Sequence, residues 1–421
     1  MYIYKNKAYS NFVCIEIKNI LLVAVFLVLL FQQAIINYTS GFIQTAFNYF
    51  DEIFFIFCVG YLFLNYKHIK LNKVDGFMIT FIVLLMIIGW SSTLANHYQS
   101  FFISFVDFIL CIKFIFSYYF AKVYFAKNNV SFSLFVFLAK IISVLLFIVF
   151  IFDASFSIFP RSEYRYFTEP FILFFPHSVY LSLVCIFLNT ILVIDYFKNS
   201  TKTDLIYIFL LLIVNFFTLR VKAICYDLII VLLIVYFKFL KLKNKNILYF
   251  VGLIGVFILA YDQFFDYYLN TGFSARKVLM DTSIQIAKHN ILGAGFGTYG
   301  SFVASQYLSP LYVKFGLVNY NNLVEYYAND GFWYLIIGQF GFVGLIFIIL
   351  FFIALFLSFR KQKLYFFVAS FSLYIYLLFS TMSDTTLFHP YAVSLFLLLG
   401  AVFSINEKNE EMGYEFDTVL F

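Results

Sequence analysis

The sequence predicts an all-α polytopic membrane protein. Two observations carry that expectation. Of 421 residues, 63% are hydrophobic and 12% charged, with a mean hydropathy of +0.93. A soluble domain carries about 25% charged residues, so this chain cannot cover itself with a polar surface. Second, apolar runs follow one another along the chain, broken by short polar segments. A helix needs roughly 20 apolar residues to cross a bilayer, and on that measure the sequence offers about twelve spans. They lie near 19–38, 50–65, 76–95, 100–121, 131–152, 171–195, 204–219, 223–238, 247–262, 331–357, 364–382 and 391–405.

Orientation follows from the placement of Lys and Arg, which are enriched on the cytoplasmic side of membrane proteins. One set of segments holds Lys5, Lys7, Lys18, Lys67, Lys70, Lys73, Lys122, Lys127, Lys198, Lys202, Lys238, Lys241, Lys243, Lys245, Arg360, Lys361, Lys363 and Lys408. The alternate set holds only Arg161, Arg165, Arg220, Lys222, Arg276, Lys277, Lys288 and Lys314. Both termini are therefore expected in the cytoplasm, with 406–421 as a solvated tail and 261–330 as one large outward loop. The whole chain, 1–421, reads as a single integral membrane domain. The first apolar run is too long for the core of a signal peptide and is read as a retained span. The five cysteines stand singly in apolar segments, which implies neither a metal site nor a disulfide framework.

Arginine is distributed unevenly. Four of the five, Arg161, Arg165, Arg220 and Arg276, face outward, where positive charge opposes the orientation rule. Guanidinium suits bidentate binding of phosphate or carboxylate. The other reading is loop solvation with ion pairs to Glu163, Glu169 and Asp227. The first outward constellation runs from Pro160 to Pro170, with His177 about two turns into the next span. The second is the tight turn Leu219-Arg220-Val221-Lys222, where Arg220 and Asp227 fall on one helical face. A charge so close to hydrocarbon is costly unless it is paired or wet.

The third is the large loop. Phe273, Met280, Ile284 and Ala287 recur at helical spacing, with Arg276, Lys277, Asp281, Gln285 and Lys288 on the other side, which describes an amphipathic helix on the outer leaflet. Next come Gly293, Gly295, Gly297 and Gly300. Residues 295–300 match G-x-G-x-x-G, but no strand precedes them and no βαβ unit surrounds them, so a dinucleotide site is excluded. These glycines are expected to bring backbone close to a substrate or to permit tight turns. The loop ends at Asn329-Asp330-Gly331, where Asp330 serves either as a helix N-cap or as a base for a sugar hydroxyl.

Several of these segments resemble the O-antigen polymerase and ligase superfamily of bacterial surface-polysaccharide assembly. The match covers roughly the second half of the chain plus 161–177. Its best part is Ala287 to Tyr299, an outer helix leading into a glycine run. Asp330-Gly331-Phe332-Trp333-Tyr334-Leu335, continuing to Gly344, is similar to the family's helix after the large loop. Arg220 matches the Arg that opens the helix two spans earlier, and Arg165 to Pro170 is similar to a further Arg…Glu-Pro segment. Ligases of this kind carry a His just before the helix after the loop. Here Tyr327-Ala328-Asn329-Asp330 has none, which favours a polymerase.

The resemblance implies a GT-C-like fold in the bacterial inner membrane. It implies transfer of a growing glycan from one undecaprenyl-pyrophosphate carrier to a hydroxyl of a repeat unit on another. It also implies a chain-length regulator and a flippase as partners. No cofactor, metal or nucleic acid is expected. On this reading Arg220 and Arg276, then Arg165 and Lys222, hold the pyrophosphate and stabilise its charge as it leaves. Asp330, Glu169 and His289 are the candidate catalytic residues, and Gly293, Gly295 and Gly297 the substrate-contacting loop. The main rival is a lipid-linked oligosaccharide flippase, which Asp107, Lys113 and Lys140 inside spans would serve. An O-antigen ligase is the alternative within the class.

Overall fold

The computed structural model describes residues 3–69, 71–128, 130, 132–161, 164–242, 255, 261, 265, 274–320, 323–360 and 362–411. Helices dominate them. In chain order these are α1 (Ile3–Tyr38), α2 (Gly41–Asn48), α3 (Phe50–Leu64), α4 (Lys73–Asn96), α5 (Phe101–Lys127), α6 (Phe132–Phe156), α7 (Ser178–Asn199), α8 (Lys202–Phe216) and α9 (Val221–Ile234). Then follow α10 (Ala275–His289), three single-turn helices α11 (Phe302–Gln306), α12 (Pro310–Lys314) and α13 (Leu323–Tyr327), and finally α14 (Phe332–Phe359), α15 (Leu364–Ser380) and α16 (Pro390–Glu411).

Among the described residues, seven helical segments are long and apolar enough to cross a membrane: Ile20–Tyr38 of α1, α4, α5, α6, α7, α14 and Pro390–Glu407 of α16. An eighth is formed if α2 and α3, bent by 47° at Tyr49, act as one broken span. The protein is thus a multi-pass membrane protein with fewer full-length spans than the twelve expected. The difference lies in short helices. α8 and α15 have 15 and 17 residues, and α9 reaches further only through a π-helical turn at Val235–Phe239. The expected ninth span, 247–262, falls almost wholly outside the described residues, as do much of 261–273 and the tail beyond Glu411.

One expected span starts later than its hydropathy suggests. Residues 171–175 are apolar and mostly buried, yet with Pro176 and His177 they form a turn ahead of α7 and not a helix. Pro176 disfavours helix in the residue before it, the Phe171 N–H bonds the Phe217 carbonyl at 3.0 Å, and Leu173 has a left-handed φ of 50°.

Three lysines within the bundle are paired with carboxylates, as the cost of burying charge requires. Lys113 holds Asp51, at the break between α2 and α3, and reaches Glu52 at 3.0 Å. Gln32 of α1 donates to the same Asp51 at 2.9 Å. Lys140 reaches Asp204 at 2.6 Å and Asp195 at 3.1 Å. Lys122 bonds Asp75 at 2.6 Å and Glu407 at 2.8 Å, which ties α5 to α4 and α16. α16 also lies so close to α5 that a Cβ on Gly400 would stand 2.2 Å from the Tyr118 carbonyl oxygen.

Candidate functional site

Five chain segments meet at one end of the bundle. The turn after α8 is closed by Thr218 and Leu219, whose N–H groups bond Asn215 and Phe216 carbonyls, Leu219 taking a φ of 50°. That turn sets Arg220 as the N-cap of α9 and buries Lys222 in its first turn. The Arg220 Nε donates to Ser178 Oγ at 2.7 Å, and its Nη2 lies 2.6 Å from His177 Nε2. Both partners stand at the start of α7, where His177 Nδ1 accepts the Val179 N–H at 3.3 Å. Asp227, expected to share a face with Arg220, accepts instead from Asn215 Nδ2 at 2.7 Å.

Lys222 points the other way, toward the loop between α15 and α16. Its ammonium holds Asp384 and bonds Ser380 Oγ at 3.1 Å. Asp384 also accepts from the Thr386 N–H at 2.9 Å and the Thr386 hydroxyl at 2.6 Å. Burial would raise this carboxyl, but the Lys222 charge more than reverses that and holds it well below the usual range. From α10, Arg276 Nη2 reaches Asp330 at 3.3 Å and the neighbouring Ser383 carbonyl at 3.5 Å. The N-cap of α14 is Gly331, so Asp330 stands one residue outside the helix. Its side chain is 39% exposed, and burial of the rest, opposed by Arg276 and reinforced by Asp384, raises its pKa.

The structure therefore brings Arg220, Lys222, Arg276 and Asp330 together, with Arg165 close by. Arg165 sits exposed in a tight turn, with reciprocal backbone bonds to Thr168 of 2.9 and 3.1 Å, and its charge acts on His177. Glu169 is exposed beside that turn. His289 stands apart: it ends α10, thirteen residues beyond Arg276 and roughly 20 Å along the axis. Arg161 serves the scaffold, with its guanidinium 4.0 Å over the Phe171 ring and 2.9 Å from the Asp153 carbonyl.

The glycine run approaches the protein's own backbone. Gly293, Gly295, Gly297 and Gly300 all take positive φ and are buried. The Gly295 N–H bonds the Gln339 carbonyl at 2.9 Å, Thr93 accepts the Phe296 N–H at 2.8 Å, and Asp107 accepts the Gly297 N–H at 2.7 Å. A Cβ on Gly295 would meet the Thr93 backbone nitrogen at 2.5 Å. The partner helix is itself broken to admit this loop: Gly341 of α14 has φ 65° and ψ −165°, and a Cβ there would sit 2.0 Å from the Ile291 carbonyl. Irregular backbone at such depth is stable only when covered by protein, which α4, α5 and α14 do.

The α10 helix also differs from expectation. Its covered face is Leu279, Thr282, Ser283, Ile286 and Ala287. Together with Tyr299, Tyr312 and Tyr334 it builds a small second core. The helix rests on protein through Leu279, Ile286 and the small residues between and beside them, with Asp281, Gln285 and Lys288 exposed as expected.

The sequence reading missed Ser178, Ser383, Asp384 and His389. His389 precedes α16, its ring 4.3 Å from that of Tyr391, and burial pushes its pKa down to about 4. The signal was a short polar patch, Ser383 to Thr386, between two apolar runs and on the same expected side as Lys222. Among the described residues, no group of three or more His, Cys, Asp or Glu is placed to hold a metal. Comparison with models of protein families and with curated proteins returns no match for this chain.

Proposed function

We propose that this protein is a glycosyltransferase of the bacterial inner membrane. It joins undecaprenyl-pyrophosphate-linked repeat units into a surface polysaccharide, with twelve spans, both termini in the cytoplasm and the site facing outward. The observation that carries the reading is the convergence of Arg220, Lys222 and Arg276, from two helices, beside the half-exposed Asp330. A departing diphosphate needs fixed cations where its charge develops. In the step, the acceptor hydroxyl oxygen bonds the donor's anomeric carbon, the bond from that carbon to the phosphate oxygen breaks, and its electron pair leaves with the diphosphate. The hydroxyl proton passes to Asp330, whose raised pKa makes it a better base than an ordinary carboxylate. Asp384, saturated by Lys222, Thr386 and Ser380, holds Lys222 in place and is a poor base.

A flippase is favoured by one observation, the break at Tyr49 beside the buried Lys113–Asp51 pair, since broken helices and intramembrane charges mark transport sites. The glycan of a deletion strain separates the two. Single repeat units displayed outside support the polymerase, and their absence supports the flippase.

A further inference from the structure

The contact between His177 and Arg220 is chemically awkward. Guanidinium N–H groups only donate, so the His177 Nε2 at 2.6 Å must present its lone pair. The other ring nitrogen also faces a donor, the Val179 N–H, at the longer distance of 3.3 Å. A neutral imidazole has one lone pair for two donors, and a second proton would leave it none. The groups acting on the ring from the surrounding elements are Arg220 and Lys222 of α9, Arg165 of the turn before α7, and Asp384 before α16. His177 stands at the mouth of the site, only partly covered.

We propose that His177 is a proton-linked member of the anion seat: it releases Arg220 to an incoming diphosphate and takes up a proton in exchange. This rests on the reading of the site as a diphosphate site. An anion oxygen that claims the Arg220 Nη2 leaves the Nε2 lone pair facing a phosphate oxygen. A proton from solvent then converts a repulsive contact into a charge-assisted hydrogen bond. The same anion cancels the positive field of Arg165, Arg220 and Lys222. In the resting protein partial burial and then those cations push His177 down to about 4, so the ring is neutral near pH 7. With the anion bound it becomes a fourth cation. The seat thus discriminates by charge: a neutral glycan cannot drive the uptake, and a diphosphate can.

The sign follows from linkage. Raising the His177 pKa on binding means that affinity climbs as pH falls below the bound-state value, and levels off near the resting value of about 4. The test is calorimetric titration of the full-length protein in detergent with inorganic pyrophosphate, and in parallel with geranylgeranyl diphosphate. Each is run at pH 6 in two buffers of different ionisation enthalpy. His177→Asn is the comparison, because Asn keeps a helix-capping acceptor at that position yet cannot take up a proton. The wild type is expected to bind with more than roughly half a proton of extra uptake over His177→Asn, and to gain about 3–10-fold in relative affinity between pH 7 and pH 5. Tighter binding of the prenyl compound assigns the ligand to a lipid, equal binding to a free diphosphate, and either ranking leaves proton uptake as the deciding quantity. Binding with equal uptake in both proteins overturns the role of His177 and leaves the diphosphate site standing. No binding of either ligand overturns both.

Discussion

Lys222 and Asp384 stand 162 residues apart in the chain and meet as an ion pair at the mouth of the bundle. The pair fixes the start of α9 against the loop before α16, so the position of Arg220 depends on a residue in the last connection of the bundle. Breaking a buried pair by removing one partner costs about 3–5 kcal/mol, because the other charge is left uncompensated. Lys222→Met and Asp384→Ala are each expected to lower the thermal midpoint and folded yield sharply, and the double variant to lose less than their sum. Additive losses in a double-mutant cycle contradict the pairing.

The same pair makes a pH prediction. Asp384 has a folded-state pKa below its unfolded value, so its contribution is fully present above about pH 4 and is lost as pH falls through the lower folded value. The stability gap between the wild type and Lys222→Met should therefore narrow as pH falls through the carboxylate range, because Asp384 buried without its cation gains from protonation, read by thermal midpoints in detergent. A gap that does not change with pH contradicts this.

Asp330 is expected to set the acid limb of activity. Because its pKa is raised, activity should fall as pH drops, beginning at a higher pH than an unperturbed aspartate would give. Asp330→Asn should reduce transfer about 10²–10⁴-fold, the usual contribution of a positioned base, and remove that limb from the residual rate. His289→Ala, far along α10, should leave chain length unchanged. A loss with His289→Ala equal to that with Asp330→Asn contradicts the assignment.

The glycines divide by what lies beside them. Gly295→Ala meets both a positive φ and the Thr93 backbone. Left-handed strain of about 1–2 kcal/mol adds to overpacking of about 1–3 kcal/mol. Gly316 has a φ of 67°, but its nearest neighbour is 3.8 Å from an added Cβ, so Gly316→Ala should show the strain alone. Thermal midpoints that fall equally in the two variants contradict this account of the buried loop.

The contrast explains what the sequence made legible. Span positions were readable because helices in a bilayer need long apolar runs, and every expected segment except 247–262, which lies almost wholly outside the described residues, coincides with a helix over most of its length. The 171–195 segment misled because Phe171 to Phe175 are apolar whether helical or not, and Pro176 carried the contrary signal. Arg220, Arg276 and Asp330 stood out because charge is costly at those places. Asp384 did not, since its meaning lies in Lys222, and pairing across 162 residues leaves no local pattern. The glycine run was visible, but its direction was not: positive φ serves a buried turn as well as a ligand loop, and only the break at Gly341 decides between them.

The most direct measurement is polymerisation by the purified protein in liposomes supplied with undecaprenyl-pyrophosphate-linked repeat units. The wild type is expected to build chains of many units. Arg220→Ala and Arg276→Ala, inserted and folded, are expected to leave single units, and Arg→Lys at either position to restore little, since a point charge does not replace a bidentate fork. Normal-length polymer from either alanine variant contradicts the account.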